Sequence, residues 1–233
     1  MVVIGHRGAT TDAPENTVSS MRAAIEAGAD GVEFDVRLSA DGHPVVMHDD
    51  ELTRMTGSSG TVAGVTLAEL RGLTVGGNET IPTLEEIIDV VRGMRVVICE
   101  LKAVRTADGA YGARAVLDAA AARVHEVPGL MVTSFDPVAL SAAHDVLPGV
   151  PTVLACYRIP DDDWMLPLAL ADGHRAVSIP AEQVDGDFVR AAHDQGTQVY
   201  AFAAPAADAF RFAELGVDVI ITSDPARALA LLR

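Results

Sequence analysis

Glu33 and Asp35 stand two residues apart in Gly31-Val32-Glu33-Phe34-Asp35-Val36-Arg37, a run otherwise apolar enough to be a buried strand. Residues i and i+2 of a strand share a face, so the two carboxylates lie side by side. Like charges held that close repel, and burial strips each of water; a cation between them resolves the conflict. Glu100 and Lys102 repeat the spacing at the end of a second strand-like run, Val96-Val97-Ile98-Cys99. Three carboxylates make an all-oxygen donor set that suits Mg2+, Ca2+ or Mn2+ better than Zn2+. The chain has no HExxH, no cysteine-rich zinc spacing and no EF-hand loop. The competing reading is a ring of salt bridges to Arg7, Arg37 or Lys102.

Arg7 and Lys102 beside a dication would hold a phosphate, one as a planar fork and the other as a point charge. Lys102 is the only lysine, every other basic side chain being arginine. Two histidines fall near these groups. His6 ends the strand-like run Val2-Val3-Ile4-Gly5, and His48 ends Pro44-Val45-Val46-Met47. As a pair flanking a phosphate they would supply a general base and a general acid near neutral pH. The remaining histidines lie in turns or helix-like segments and read as surface or structural. Lys102 at a strand end also fits a metal-independent Schiff-base aldolase. GxSxG and Walker signatures are missing, since Gly57-Ser58-Ser59-Gly60 has the wrong spacing.

These residues need strands to hold them. Runs at Val2–His6, Gly31–Arg37, Val96–Lys102, Leu130–Ser134, Thr152–Cys156, Ala176–Ile179, Gln198–Phe202 and Asp218–Thr222 are each followed by helical spacing or helix-start chemistry. Thr83-Leu84-Glu85-Glu86 is a capping box, and Asp136-Pro137 and Asp224-Pro225 set an N-cap before a first-turn proline. Gly28, Gly196 and Gly216 sit where helices should stop. Eight βα units predict a (β/α)8 TIM barrel. An open doubly wound sheet would usually carry GxGxxG, which is missing. Barrel active sites lie at the carboxyl ends of the strands. The first three strands carry most of the reactive groups there, the others ending on residues such as Ser134-Phe135-Asp136, Tyr157-Arg158 and Tyr200.

Pro44–His48 follows the second strand after a link containing Asp41-Gly42, a hairpin signal. A parallel crossover needs a dozen or more residues, so this ninth run is expected to be a short antiparallel excursion that returns His48 towards Glu33 and Asp35. Residues 49–81 then form a Gly/Thr-rich insertion, with a short helix capped at Thr66, read as a loop over the active face of a single domain spanning 1–233.

The chain has 233 residues, 49% of them hydrophobic, and a formal charge of −16 from 33 acidic and 17 basic residues. That argues against nucleic acid and anionic membrane surfaces as partners. No run reaches the roughly 18 apolar residues of a membrane span, and the N-terminus lacks the pattern of a signal peptide. Two cysteines without CxxC spacing suit a reducing compartment. A soluble, cytoplasmic protein acting on a small molecule is expected; oligomeric state is not readable.

Together, His6-Arg7-Gly8, Pro14-Glu15-Asn16-Thr17, Glu33-Phe34-Asp35-Val36 and Asp41-Gly42-His43-Pro44-Val45-Val46-Met47-His48-Asp49 resemble the glycerophosphodiester phosphodiesterase family. The likeness continues through Ile81-Pro82-Thr83-Leu84-Glu85-Glu86, Glu100-Leu101-Lys102, Ser134-Phe135 and Gly216-Val217-Asp218 to Thr222-Ser223-Asp224-Pro225. The resemblance implies a (β/α)8 barrel hydrolysing glycerophosphodiesters to glycerol 3-phosphate and an alcohol. It implies a divalent metal on Glu33, Asp35 and Glu100, His6 and His48 in acid–base roles, Arg7 and Lys102 on the phosphate, and Glu15 and Asn16 in support. His48 as a metal ligand stays open, as does the choice of water or the glycerol 2-hydroxyl as first nucleophile. The chain departs from the family on the seventh strand, where Tyr200-Ala201-Phe202-Ala203 replaces a Trp-Thr-Val-Asn run. The substrate wall is expected to be less polar there, with Tyr200 and Phe202 beginning an apolar groove. A lysophospholipase D-like activity is the enzymatic runner-up, and a barrel that binds without turnover the non-enzymatic one.

Overall fold

The computed structural model describes residues 1–105, 111–157 and 165–233; Arg158 lies outside them. Eight parallel strands close a barrel: β1 (Val2–His6), β2 (Gly31–Leu38), then, after β3 (Pro44–Val46), β4 (Thr74–Val75) and β5 (Glu79–Thr80), β6 (Val96–Leu101), and, after the small hairpin β7 (Val104–Arg105) and β8 (Tyr111–Gly112), β9 (Leu130–Ser134), β10 (Thr152–Ala155), β11 (Ala176–Pro180), β12 (Gln198–Phe202) and β13 (Val219–Thr222). The barrel strands neighbour one another as β1-β13-β12-β11-β10-β9-β6-β2, and β2 returns to β1. The fold is therefore the TIM barrel, with helices covering its outer face.

Alternation along each strand sorts the side chains. On β2, Val32, Phe34 and Val36 face the helices, as do Val97, Cys99 and Leu101 on β6. The intervening residues face the barrel axis, as the two-residue period requires. The lower interior is apolar, filled by Ile4, Val96, Ile98, Val153, Ala176, Tyr200, Val219 and Ile221. Glu33, Asp35 and Glu100 take the same inward positions nearer the strand ends. The helix-start signals hold: Thr83 caps Leu84–Val91 through a capping box, and Asp136 and Asp224 cap helices that begin at Pro137 and Pro225.

The ninth run is the expected excursion. β3 pairs antiparallel with β2 through Val36 and Val46, Arg37 and Val45, and Leu38 and Pro44. The insertion is more ordered than an open loop. It holds the helix Thr53–Thr56, the 3-10 turn Val62–Gly64, the helix Leu67–Leu70 capped by Thr66, and the β4–β5 hairpin. Val45, Met47, Leu52, Val62, Leu70, Val75 and Ile81 bury one another as a separate small core. These apolar residues lie too irregularly along the sequence to show a single period, although they meet once the chain folds back.

Candidate active site

The carboxylates meet because two strands pair in register. Asp35 lies opposite Glu100 across β2 and β6, and His6 lies opposite Glu33 across β1 and β2. Glu33 and Asp35 are buried, Glu100 partly so, and one oxygen from each lies within 4.8 Å of the others.

Cations surround this cluster. Lys102 Nζ lies 2.8 Å from Asp35 Oδ1 and also contacts Glu100 Oε1. Arg7 Nε is 3.4 Å from Asp35 Oδ2, and the Arg7 backbone N–H donates to Glu33 Oε2 at 3.0 Å. Arg7 adopts a left-handed φ of 56°. The following Gly8, at φ 89°, passes so close to the next helix that a Cβ would lie 2.5 Å from Ser20. Asn16, also left-handed, donates from Nδ2 to Asp35 Oδ2 at 2.7 Å.

Salt bridges account for part of this cluster but not all of it. Asp35 is well paired: burial opposes its ionisation, but Lys102 and Arg7 outweigh that and hold its carboxyl far below the usual range. Glu33 is the opposite case. Burial, then the charges of Asp35 and Glu100, push its carboxyl well up, and its Oε1 is buried without a hydrogen-bond partner. Glu100 is raised by burial and by Asp35, with Lys102 opposing. Two cations do not balance these three carboxylates. The hard donor set and the orphaned Glu33 oxygen fit a divalent cation, whose bonds to oxygen run about 2.0–2.6 Å.

Burial, reinforced by Arg7, lowers His6 from 6.5 to about 4. His48 is half-buried and also lowered, burial and Lys102 outweighing Asp35 and Asp49. Its Nδ1 lies 2.7 Å from Asp49 Oδ1, an arrangement that favours the proton on Nδ1 and leaves Nε2 available. Both imidazoles are therefore neutral near pH 7. Lys102 is raised, as Asp35 and Glu100 overcome its burial. A Schiff-base lysine needs a neutral amine, so this environment opposes the aldolase reading.

His6, Arg7, Glu33, His48, Glu100 and Lys102 line one cavity of about 260 Å3. Its far wall is Phe135, Tyr157 and Phe202, from the ends of β9, β10 and β12. Phe135 and Tyr157 stack with centroids 5.5 Å apart, and Phe202 meets their edges at 5.9 and 6.2 Å. A wider depression of about 390 Å3 adjoins it, sharing Glu100, Lys102 and Phe135 and adding Arg37, Ser134 and Asp136.

Tyr200 is the expected site residue that the structure does not bring to this wall. It faces inward, but one layer below Phe202, buried among Ile4, Ile98 and Ile221 with its hydroxyl directed to Met131 and Gln198. Glu15 contacts Arg7 at 2.9 Å and Asn16 contacts Asp35, so both sit beside the cluster. The sequence did not mark Arg54, and it named Asp49, Tyr157 and Ala203 only as members of a motif or strand end, without a role in the site. Asp49 adjoins His48 and Tyr157 ends a strand, which were usable signals. Arg54 carried none, since Glu15 is 39 residues away and the five-residue separation from Asp49 matches no helix or strand period.

A model of the Glycerophosphoryl diester phosphodiesterase family matches residues 6–227. The chain is 42% identical over 97 residues to a glycerophosphodiester phosphodiesterase of Caldanaerobacter subterraneus subsp. tengcongensis, a match covering 39% of this chain and 40% of that one. Glycerophosphodiester phosphodiesterase of Bacillus altitudinis is 29% identical over 243 residues, 98% of this chain and 97% of that protein. The fold superposes on an Oleispira antarctica phosphodiesterase, solved with the product sn-glycerol-3-phosphate, at a TM-score of 0.90 and 29% identity, covering 100% of this chain and 96% of the other.

Proposed function

The chain belongs to the glycerophosphoryl diester phosphodiesterase family, and on that premise we propose that it is a metal-dependent hydrolase of glycerophosphodiesters, releasing glycerol 3-phosphate and an alcohol. The observation that carries this reading is the buried cluster of Glu33, Asp35 and Glu100, with the orphaned Glu33 oxygen, in the same cavity as two neutral histidines. Glu33, Asp35 and Glu100 would hold a divalent cation, Mg2+, Ca2+ or Mn2+, which would polarise a phosphoryl oxygen and offset charge at phosphorus.

The chain's own groups do the rest. Arg7 and Lys102 hold the phosphate against the cluster and share the charge that builds up on it. His6, the more strongly lowered, beside Arg7, accepts the proton of the nucleophile, either water or the glycerol 2-hydroxyl. His48 protonates the leaving alkoxide from Nε2 as its imidazolium, which Asp35 and Asp49 favour against burial and Lys102; it takes that proton from solvent, to which His6 releases the one it accepted. The aromatic wall excludes water from the side facing the leaving alcohol. Its exposed rings favour a second reading, a lysophospholipase D-like preference for substrates with apolar parts.

No helix among the described residues is long and apolar enough to cross a membrane. Cys99 and Cys156 are buried thiols, which fits the cytoplasm as the place of action.

A panel of glycerophosphodiesters and lysophospholipids, with EDTA or with each cation, tests the reading through coupled detection of glycerol 3-phosphate. Cation-dependent release is expected from at least one diester. No release with any substrate and any of the three cations overturns it.

A further inference from the structure

Arg54 lies on the short helix Thr53–Thr56 of the insertion, and none of the chemistry above uses it. Its guanidinium nevertheless joins two carboxylates from different parts of the chain. Nε donates to Asp49 Oδ2 at 2.5 Å. The terminal nitrogens donate to both oxygens of Glu15, at 2.7 and 3.1 Å. Beyond Asp49 the path reaches His48 Nδ1 at 2.7 Å, and beyond Glu15 it reaches Arg7 at 2.9 Å. His48 arrives on the antiparallel excursion and Arg7 on the loop after β1. One arginine therefore ties together the two segments that carry an acid–base group and a phosphate-holding group.

We infer that Arg54 is a positioning residue that fixes the orientation of the His48 imidazole and its placement relative to the Arg7 guanidinium. The inference rests on the roles given to His48 and Arg7 above. A single half-buried pair, such as Asp49 with His48 alone, leaves Asp49 itself free to turn. A planar guanidinium held by three N–H groups on two carboxylates restricts both of them. Asp49 is held down to about 2, with its Arg54 hydrogen bond the largest cause, so it stays an acceptor for the Nδ1 proton of His48. A lysine here reaches one carboxylate but not both.

The test compares Arg54→Ala and Arg54→Lys with Arg71→Ala. Arg71 is a matched control, because it too extends from the insertion to grip a carboxylate bidentately, Glu86 on the helix Leu84–Val91 at 2.7 and 2.8 Å, away from the cavity. Arg54→Ala is expected to lower kcat roughly 10–100-fold, as the loss of supporting contacts to active groups does, with a much smaller change in KM. Arg54→Lys recovers part of the loss, Arg71→Ala leaves kcat near wild type, and thermal unfolding midpoints stay close in all three. The Asp49→Asn, Arg54→Ala double variant is expected to be no slower than the slower single variant, as members of one bridge are not additive. Nitrogen NMR of the His48 ring gives a second readout that needs no turnover: one tautomer, protonated at Nδ1, in the wild type and a mixture in Arg54→Ala. Wild-type kcat in Arg54→Ala, an equal kcat loss in Arg71→Ala, or an unchanged His48 tautomer overturns the inference. A wild type that hydrolyses no diester overturns the functional reading instead, and the NMR result then still decides the bridge.

Discussion

Asn16 and Asp35 are joined by two hydrogen bonds in opposite directions: Asn16 Nδ2 donates to Asp35 Oδ2 at 2.7 Å, and the Asp35 backbone N–H donates to Asn16 Oδ1 at 3.2 Å. Asn16 is buried and held at φ 58°, a conformation asparagine tolerates better than most residues. The amide thus sets the rotation of the carboxylate that both Lys102 and Arg7 touch. Asn16→Ala leaves a buried N–H and a carboxylate oxygen each short of a partner, a loss of about 1–3 kcal/mol per group. Isothermal titration with Ca2+ or Mn2+ should show affinity reduced roughly 10–100-fold.

Glu33 gives the cation a pH dependence whose sign follows from its raised pKa. A carboxyl raised in the folded state favours folding fully below its ordinary value of about 4, and that contribution is lost as pH rises through the folded value. Over the same window the ionised form becomes available to a cation. The difference in melting temperature between cation-loaded and EDTA-treated protein should therefore widen as pH rises from the ordinary carboxylate range through neutral. Glu33→Gln should raise the melting temperature of the metal-free protein at the upper end of this range and remove most of the cation's effect. A cation-induced shift that shrinks with rising pH contradicts the assignment.

His6 and His48 separate by their surroundings. Replacing either with Ala should lower kcat by about 10²–10⁴-fold if each transfers a proton in the transition state. Asp49→Asn preserves the shape but accepts less well from His48 Nδ1, so it should slow turnover less than His48→Ala while leaving His6 unaffected. Initial rates with saturating cation measure all three; near-wild-type turnover in either histidine variant removes that residue from the mechanism.

Ala203 follows β12 at φ 52° and lines the cavity. An L-residue without a polar side chain in this region is strained by roughly 1–2 kcal/mol. Ala203→Gly relieves it and should stabilise the protein by about 1 kcal/mol after the entropy loss of glycine, a rise of roughly 2–4 °C in melting temperature for a domain of this size. A lower melting temperature for the glycine variant would show that the contacts of the Ala203 methyl outweigh the strain.

The site was legible wherever a strand's two-residue period decided it. Glu33 and Asp35 share a face by sequence alone, and His6, Glu100 and Lys102 follow from the same alternation at neighbouring strand ends. The Asp41-Gly42 turn likewise disclosed the antiparallel return of His48. What alternation cannot give is height along the barrel axis and contacts made by long side chains across segments. Arg54 bridges Asp49 and Glu15 through its full length, so nothing local marks it. The insertion's small core joins residues with no common period, so it read as a loop.

Tyr200 and Phe202 show the same limit and can be separated by experiment. Both point inward from β12, but two residues along a strand advance by roughly 6.6 Å, enough to move from the packed interior to the cavity wall. Tyr200 is 2% exposed and packs among aliphatic side chains, whereas Phe202 lies against Phe135 and Tyr157 in the cavity. Tyr200→Ala should destabilise the fold by about 3–5 kcal/mol, in the range of large core truncations, and Tyr200→Phe should leave kcat/KM unchanged. Phe202→Ala should leave stability largely intact and raise KM most for diesters whose alcohol carries apolar groups, because it removes one edge of the aromatic wall. Denaturant unfolding and substrate-panel kinetics on the three variants read both effects. A Tyr200→Phe variant with altered substrate preference would return that residue to the site.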